Sequence, residues 1–254
     1  MTVRPELGSS TDSCRLQAPM RRIVEVYAKT RKRRDLFTNV WLFRPLAAPI
    51  VYALSFTRIT PNQVTLASFV VALVAVLLLF WPGYWGLLAA TTVFTLAYLL
   101  DCADGMLARW RGVQSTPGHL FDFLMDEIKS FFVLGAVSVR LHLETGDVRY
   151  LLVGVGGVVA LATGIAITTF QRRPEITGAP ADAERPPAST RGGLRSAGLR
   201  VGLGIAHLVV HYPSYLWLVG LVGRVELYFF PYVAAITVYA LRSLLWLALR
   251  HGLR

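Results

Sequence analysis

Long uncharged apolar runs recur along the chain at 64–80, 84–100, 150–170 and 201–223, and two further apolar stretches follow Asp126 and Glu226. Each approaches the roughly 20 residues that an α-helix needs to cross a bilayer. The pattern predicts an all-α, polytopic membrane protein with six transmembrane helices. Span 1 runs from Thr60 to about Phe80, followed by the short uncharged turn WPGYW (81–85), and span 2 extends to about Arg109. Gly112 and the STPG sequence (115–118) mark a turn before span 3, which starts near Leu120 and reaches an outer loop between Arg140 and Arg149. Span 4 ends near Phe170, and spans 5 and 6 are divided by GRVE (223–226).

The segment LFTNVWLFRPLAAPIVYALSFTRI (36–59) is apolar enough for a further span, yet it carries Arg44 in its middle with Pro45 and Pro49 close by. If it crossed, the basic KTRKRR sequence (29–34) and the arginine-rich stretch 171–200 would lie on opposite sides, against the tendency of basic loops to stay cytoplasmic. It is read as an N-terminal interfacial helix broken by proline. Residues 1–35 are read as a basic, poorly ordered cytoplasmic tail and 36–254 as one six-span domain, with 171–200 a flexible cytoplasmic loop rich in Pro, Gly and Arg. Both termini then face the cytoplasm from a plasma or inner membrane.

Composition agrees with this layout. Charged residues make up 16% of the 254 and mean hydropathy is +0.51, whereas a water-soluble domain carries about a quarter charged residues. The net charge of +11 would suit a nucleic-acid partner. Its concentration at the N-terminus and in 171–200 instead favours membrane orientation and anionic lipid head groups, and no nucleic acid is expected as a partner. Cys14 and Cys102 form neither a CxxC pair nor a disulfide framework, so both are expected as thiols. The polar, basic opening has no secretory signal pattern.

Two weaker patterns fit packing better than chemistry. GVGGVVALATG (154–164) lacks the strand and final glycine of a nucleotide loop, and its small residues suit close helix contacts in lipid, within one chain or in a homodimer. His207 and His211 share a helix face without other metal ligands beside them, so they are read as a packed or pocket-lining pair.

The chemistry concentrates in residues 99–126, LLDCADGMLARWRGVQSTPGHLFDFLMD. Asp101 and Asp104 are three apart and share a helix face, as do Asp122 and Asp126, four apart on the next helix. If the STPG turn sets the two helices antiparallel, four carboxylates converge. Such a cluster at the bilayer edge is strongly unfavourable unless cations neutralise it, and Mg²⁺ or Mn²⁺ prefers carboxylate oxygen. Two ions would suit four aspartates, as in other phosphoryl-transfer sites.

Read from Asp101, the pattern is D-x2-D-G-x2-A-R-x8-G-x3-D-x3-D, which resembles the signature of the CDP-alcohol phosphotransferase (CDP-alcohol phosphatidyltransferase) family at every position. Eight fixed positions at roughly 1 in 20 each make a chance match negligible. TPNQVT (60–65) resembles the family's Pro-Asn-x-x-Thr entry to its first span. The resemblance implies that Asp101, Asp104 and Asp122 hold two divalent ions, and that Asp126 touches one of them and accepts a proton. It implies further that Gly105 and Ala108 leave room for the cytidine nucleotide, that Arg109 meets its phosphates, and that Asn62, Thr65 and Ser115 help bind the CDP-linked lipid. Asn62 has the alternative role of capping span 1, and Ser115 that of making the turn.

The implied reaction moves a phosphatidyl-type group from a CDP-linked lipid to an alcohol and releases CMP, a step in phospholipid biosynthesis. His119, Arg172 and Arg173, with Arg191 and Arg195 behind them, are candidates for an acceptor pocket; positive-inside orientation explains the arginines equally well. Two other classes of membrane protein also carry aspartate clusters. A membrane prenyltransferase usually separates its two aspartate motifs widely, and a divalent-cation channel or transporter places acidic residues deep within its spans. Neither requires Gly105, Ala108 and Arg109.

Overall fold

The structure is a computed structural model, and it describes residues 10–32, 35, 37–171 and 209–252. All regular structure among these residues is helical. The chain runs through α1 (Ser10–Thr30), a π-helical turn (Asn39–Phe43), α2 (Arg44–Ser55), α3 (Pro61–Leu78), α4 (Gly83–Arg111), α5 (Thr116–Thr145) and α6 (Arg149–Gln171). After the undescribed stretch 172–208 come a 3₁₀ turn (Tyr212–Ser214), α7 (Leu216–Val222) and α8 (Glu226–Gly252). Four of the described helices are long and apolar enough to cross a membrane: α3, α4, α6 and, within α8, Glu226–Arg250. The protein is therefore an all-helical, multi-pass membrane protein.

α5 falls outside that group because of its charges. It is 30 residues long, roughly 45 Å at 1.5 Å per residue, but it carries Asp122, Asp126, Glu127 and Lys129 near its start and Arg140 and Glu144 near its end. Arg140, expected to open the outer loop, instead lies inside the helix and is 3% exposed. Its Nη1 donates to the carbonyls of Leu79 (2.9 Å) and Trp81 (2.8 Å), its Nη2 donates to Gly83 (2.7 Å), and Glu144 balances its charge. A guanidinium with five donors is well matched to carbonyls clustered where the chain turns from α3 into α4. The fifth apolar run, 201–223, is not one continuous helix in its described part. Pro213 lies in the 3₁₀ turn, where a proline cannot continue α-helical hydrogen bonding, and α7 is seven residues long.

The chain divides into two compact units, residues 1–68 with 99–119 and residues 69–98 with 120–254. The second holds the larger apolar core, which includes Phe94, Val133, Leu134, Tyr228 and Phe229. The glycine-rich run of α6 serves packing there: a Cβ on Gly154 would lie 2.0 Å from Ser138 Oγ, and one on Gly157 would lie 3.0 Å from Val233. Small residues let helices approach to backbone distance in lipid.

The first unit corrects the expected tail. Residues 10–30 are helical, and α1 packs on α2 with Val26 fully buried beside Ala47, Val51, Val64, Met106 and Leu107. Ile23, Val26, Tyr27 and Thr30 recur at i, i+3, i+4 and i+7, the spacing of a one-sided helix. Within segment 36–59, residues 39–55 are helical, with Pro45 in the first turn of α2 and Pro49 inside it. Arg44 is buried and paired with Asp35, whose other oxygen accepts from Asn39 at 3.1 Å. Residues 1–9, the stretch 172–208 with Arg172, Arg173, Arg191, Arg195 and His207, and the Cys14 side chain lie outside the description.

Candidate active site

The site begins with how α3 is started. Thr60 Oγ1 accepts from the Gln63 amide N–H (3.3 Å), and the Thr60 N–H donates to Gln63 Oε1 (2.8 Å). This reciprocal pair satisfies two amides that a helix start leaves without partners, and Pro61, which has no amide hydrogen, takes the first helical position. Thr60 and Gln63 thus do the capping that Asn62 was a candidate for. One turn on, Thr65 is 3% exposed and its hydroxyl donates to Asp104 Oδ2 at 2.5 Å.

Asp104 is itself 4% exposed. It sits in the C-terminal part of α4, where Asp101, Asp104, Gly105 and Ala108 follow one another at i, i+3, i+4 and i+7 and share one face. Arg109 is half-buried; its Nε donates to the Thr30 carbonyl (2.8 Å), and Nη1 and Nη2 lie 3.5 and 3.7 Å from where a Cβ on Gly105 would stand. α4 ends on Gly112, whose φ of +67° is the left-handed conformation glycine adopts without strain. The Val113 N–H reaches the Ala108 carbonyl (3.0 Å) and the Gly112 N–H that of Arg109 (3.3 Å), closing the last turn as a Schellman motif. Arg111 locks the neighbouring chain by donating to the carbonyls of Leu54, Thr57 and Ile59.

Ser115 stands just before α5, and its Oγ accepts the Gly118 N–H at 3.2 Å. A Cβ on Gly118 would come within 3.0 Å of Ser115 Oγ and 3.3 Å of Asn62 Oδ1, so glycine lets these three residues meet. Gly118, Asp122 and Asp126 then follow at four-residue intervals on one face of α5. Asp122 is half-buried, and His119 is exposed. The Asp126 side chain is 51% exposed, and its Oδ1 lies 2.7 Å from the Nζ of Lys129, whose side chain is 7% exposed. Ser130 Oγ donates to the Asp126 carbonyl (3.0 Å) and lies 3.4 Å from the Tyr212 hydroxyl.

Among the predicted residues the structure thus bonds Thr65 to Asp104 and Gly118 to Ser115, sets the Arg109 guanidinium beside Gly105, and brings Asn62 close to Gly118. Sequence reasoning missed Lys129 and the Thr30 carbonyl. The first could have been found from its place on α5, one turn past Asp126. A backbone carbonyl has no signature in sequence.

A family model for CDP-alcohol phosphatidyltransferase matches residues 58–191, just over half of the chain. Two similar proteins are named CDP-diacylglycerol–glycerol-3-phosphate 3-phosphatidyltransferase. That of Blochmanniella floridana is 30% identical over 82 residues, covering 32% of this chain and 43% of that protein. That of Pseudomonas fluorescens is 33% identical over 87 residues, covering 34% and 43%. The inner membrane protein YnjF of Escherichia coli (strain K12) is 33% identical over 116 residues, covering 44% and 55%. The chain therefore spans about half the length of the curated relatives it matches. With the family match extending over Asn62, Thr65, all four aspartates, Gly105, Ala108, Arg109, Ser115 and Gly118, the chain belongs to the CDP-alcohol phosphatidyltransferase family.

Proposed function

We propose that this protein transfers a phosphatidyl-type group from a CDP-linked lipid to an alcohol, with release of CMP, in phospholipid biosynthesis. The observation that carries the reading is the complete aspartate motif, set on the last turns of α4 and the first turns of α5 in a membrane protein of this family. On this reading Asp101 and Asp104 of α4 and Asp122 and Asp126 of α5 are the carboxylates that would hold the cations, Asp104 being steadied by Thr65. That donor set fits hard divalent ions, two Mg²⁺ or Mn²⁺ held by Asp101, Asp104, Asp122 and Asp126. When bound, such ions neutralise the diphosphate and the charge that develops during transfer.

The protein's own groups have separate tasks. Arg109, a planar fork of donors, binds the phosphates of the donor lipid. Gly105 and Ala108 keep the face of α4 low enough for the nucleotide, and Asn62, Thr65 and Ser115 position the CDP-linked lipid. Asp126, the most exposed of the four, takes the proton of the attacking hydroxyl. An acceptor pocket would include His119, Arg172 and Arg173. Because two relatives are named for glycerol-3-phosphate, that is the first acceptor to try.

The proposal includes a six-span layout with the segment 36–59 in the interface, both termini cytoplasmic, a plasma or inner membrane location and a homodimer. Purified protein in detergent, supplied with CDP-diacylglycerol, Mg²⁺ or Mn²⁺ and a panel of serine, inositol phosphate, glycerol phosphate and simple alcohols, is expected to release CMP with one acceptor. Absence of release with every CDP-linked donor refutes the assignment.

A further inference from the structure

α1 precedes the residues that match the family, yet it touches the motif. We infer that the last turn of α1 is a positioning element of the donor site, holding Arg109 by its Nε so that the Nη1 and Nη2 edge is set beside Gly105 before substrate arrives. This rests on the reading of Arg109 as the phosphate-binding residue.

Three observations carry it. The last carbonyls of a helix have no partner within it and form the negative end of its dipole, so they attract a cation. The Thr30 carbonyl is such a group, and it accepts Arg109 Nε at 2.8 Å. Second, the anchor is itself fixed. Val26 and Thr30 are fully buried, Thr30 Oγ1 donates to the Val26 carbonyl at 2.7 Å, and the Tyr27 hydroxyl donates to the Val40 carbonyl at 3.0 Å. Lys29 also lies over the ring of Trp110, the residue after Arg109, at 5.4 Å. Third, the bond uses only Nε. The remaining edge of the guanidinium, two parallel N–H groups, is the one suited to a bidentate phosphate contact. A side chain whose rotamers are restricted in advance loses less freedom on binding.

The test uses the full-length protein and CDP-diacylglycerol, with CMP release read as separate KM values for donor and acceptor. Val26→Asp, which removes the buried contact of α1, is expected to raise the donor KM about tenfold, the worth of one hydrogen bond to a charged group. The acceptor KM should not change. In an Arg109→Ala background, where the donor KM is already raised, Val26→Asp should add nothing, because both changes act through one group. Tyr27→Phe keeps the apolar body of α1 and removes one anchor, so it serves if Val26→Asp does not fold; about a twofold rise, again absent beside Arg109→Ala, is expected. A rise of equal size in both backgrounds, or no rise in either variant, overturns the inference. A normal donor KM in Arg109→Ala itself removes the phosphate-binding reading beneath it.

Discussion

The two halves of the aspartate motif are built differently. On α4, Asp104 is 4% exposed and receives the Thr65 hydroxyl, and the neighbouring Arg109 is tied to Thr30. On α5, Asp126 leaves half of its side chain exposed and has a buried lysine at 2.7 Å. A carboxylate whose task is to hold an ion benefits from being fixed in advance, whereas one that takes a proton from an incoming alcohol must remain reachable. On the proposed reading, the α4 half is scaffold and the α5 half is where the chemistry happens.

The largest expected effect separates them most sharply. Asp126→Asn keeps an oxygen for Lys129 but removes the base and one charge, so CMP release should fall by about 10³-fold or more, while the helical circular dichroism of the purified variant stays that of the parent. Turnover at the parent's rate would place the proton acceptor elsewhere. Thr65→Val should do the reverse. It removes the donor to a buried carboxylate at nearly constant shape, costing about 1–3 kcal/mol, read as a lower unfolding midpoint in detergent together with a higher Mg²⁺ requirement. An unchanged midpoint would mean that the α4 half is not preorganised by this bond.

The spans around the motif were legible because hydropathy defines most of them: α3 and α6 begin and end within a few residues of the apolar runs, and α4 begins with its run but continues past residue 100, through the motif, to Arg111. The motif was legible because its spacing is that of one helix face. What escaped had no such imprint. The apolar stripe of Ile23, Val26 and Tyr27 is flanked by Arg21, Arg22 and Lys29, and a basic segment reads as tail until a partner helix is known. In sequence Arg140 reads as the mark of a loop, because a lone charge in an apolar run is costly unless paired. Its partners are backbone carbonyls some 60 positions away in sequence, which no pattern of side chains announces.

Lys129 offers a smaller effect and a defined sign. A cation 2.7 Å from Asp126 Oδ1 competes with any metal for that oxygen. A unit positive charge and a divalent ion about 6 Å apart repel by about 5–6 kcal/mol at an effective dielectric near 20, and by only a fraction of that where one side is open to water. Lys129→Met should therefore lower the Mg²⁺ concentration for half-maximal CMP release about tenfold. The same requirement in variant and parent would show that Lys129 does not contend for the ion.

The smallest effect distinguishes neighbours within TPNQVT. Gln63 is exposed and, with Thr60, caps α3, so Gln63→Ala should cost about 0.5–1 kcal/mol of stability and leave the donor KM alone. Asn62 is also exposed, but it faces Gly118 and Ser115 rather than the helix end. Asn62→Ala should shift the unfolding midpoint by less than Gln63→Ala does and raise the donor KM by a few-fold, the usual worth of one neutral hydrogen bond. If the two variants exchanged these outcomes, Asn62 would be part of the scaffold, and the line between fold and chemistry in the α3 entry would have to be drawn one residue away.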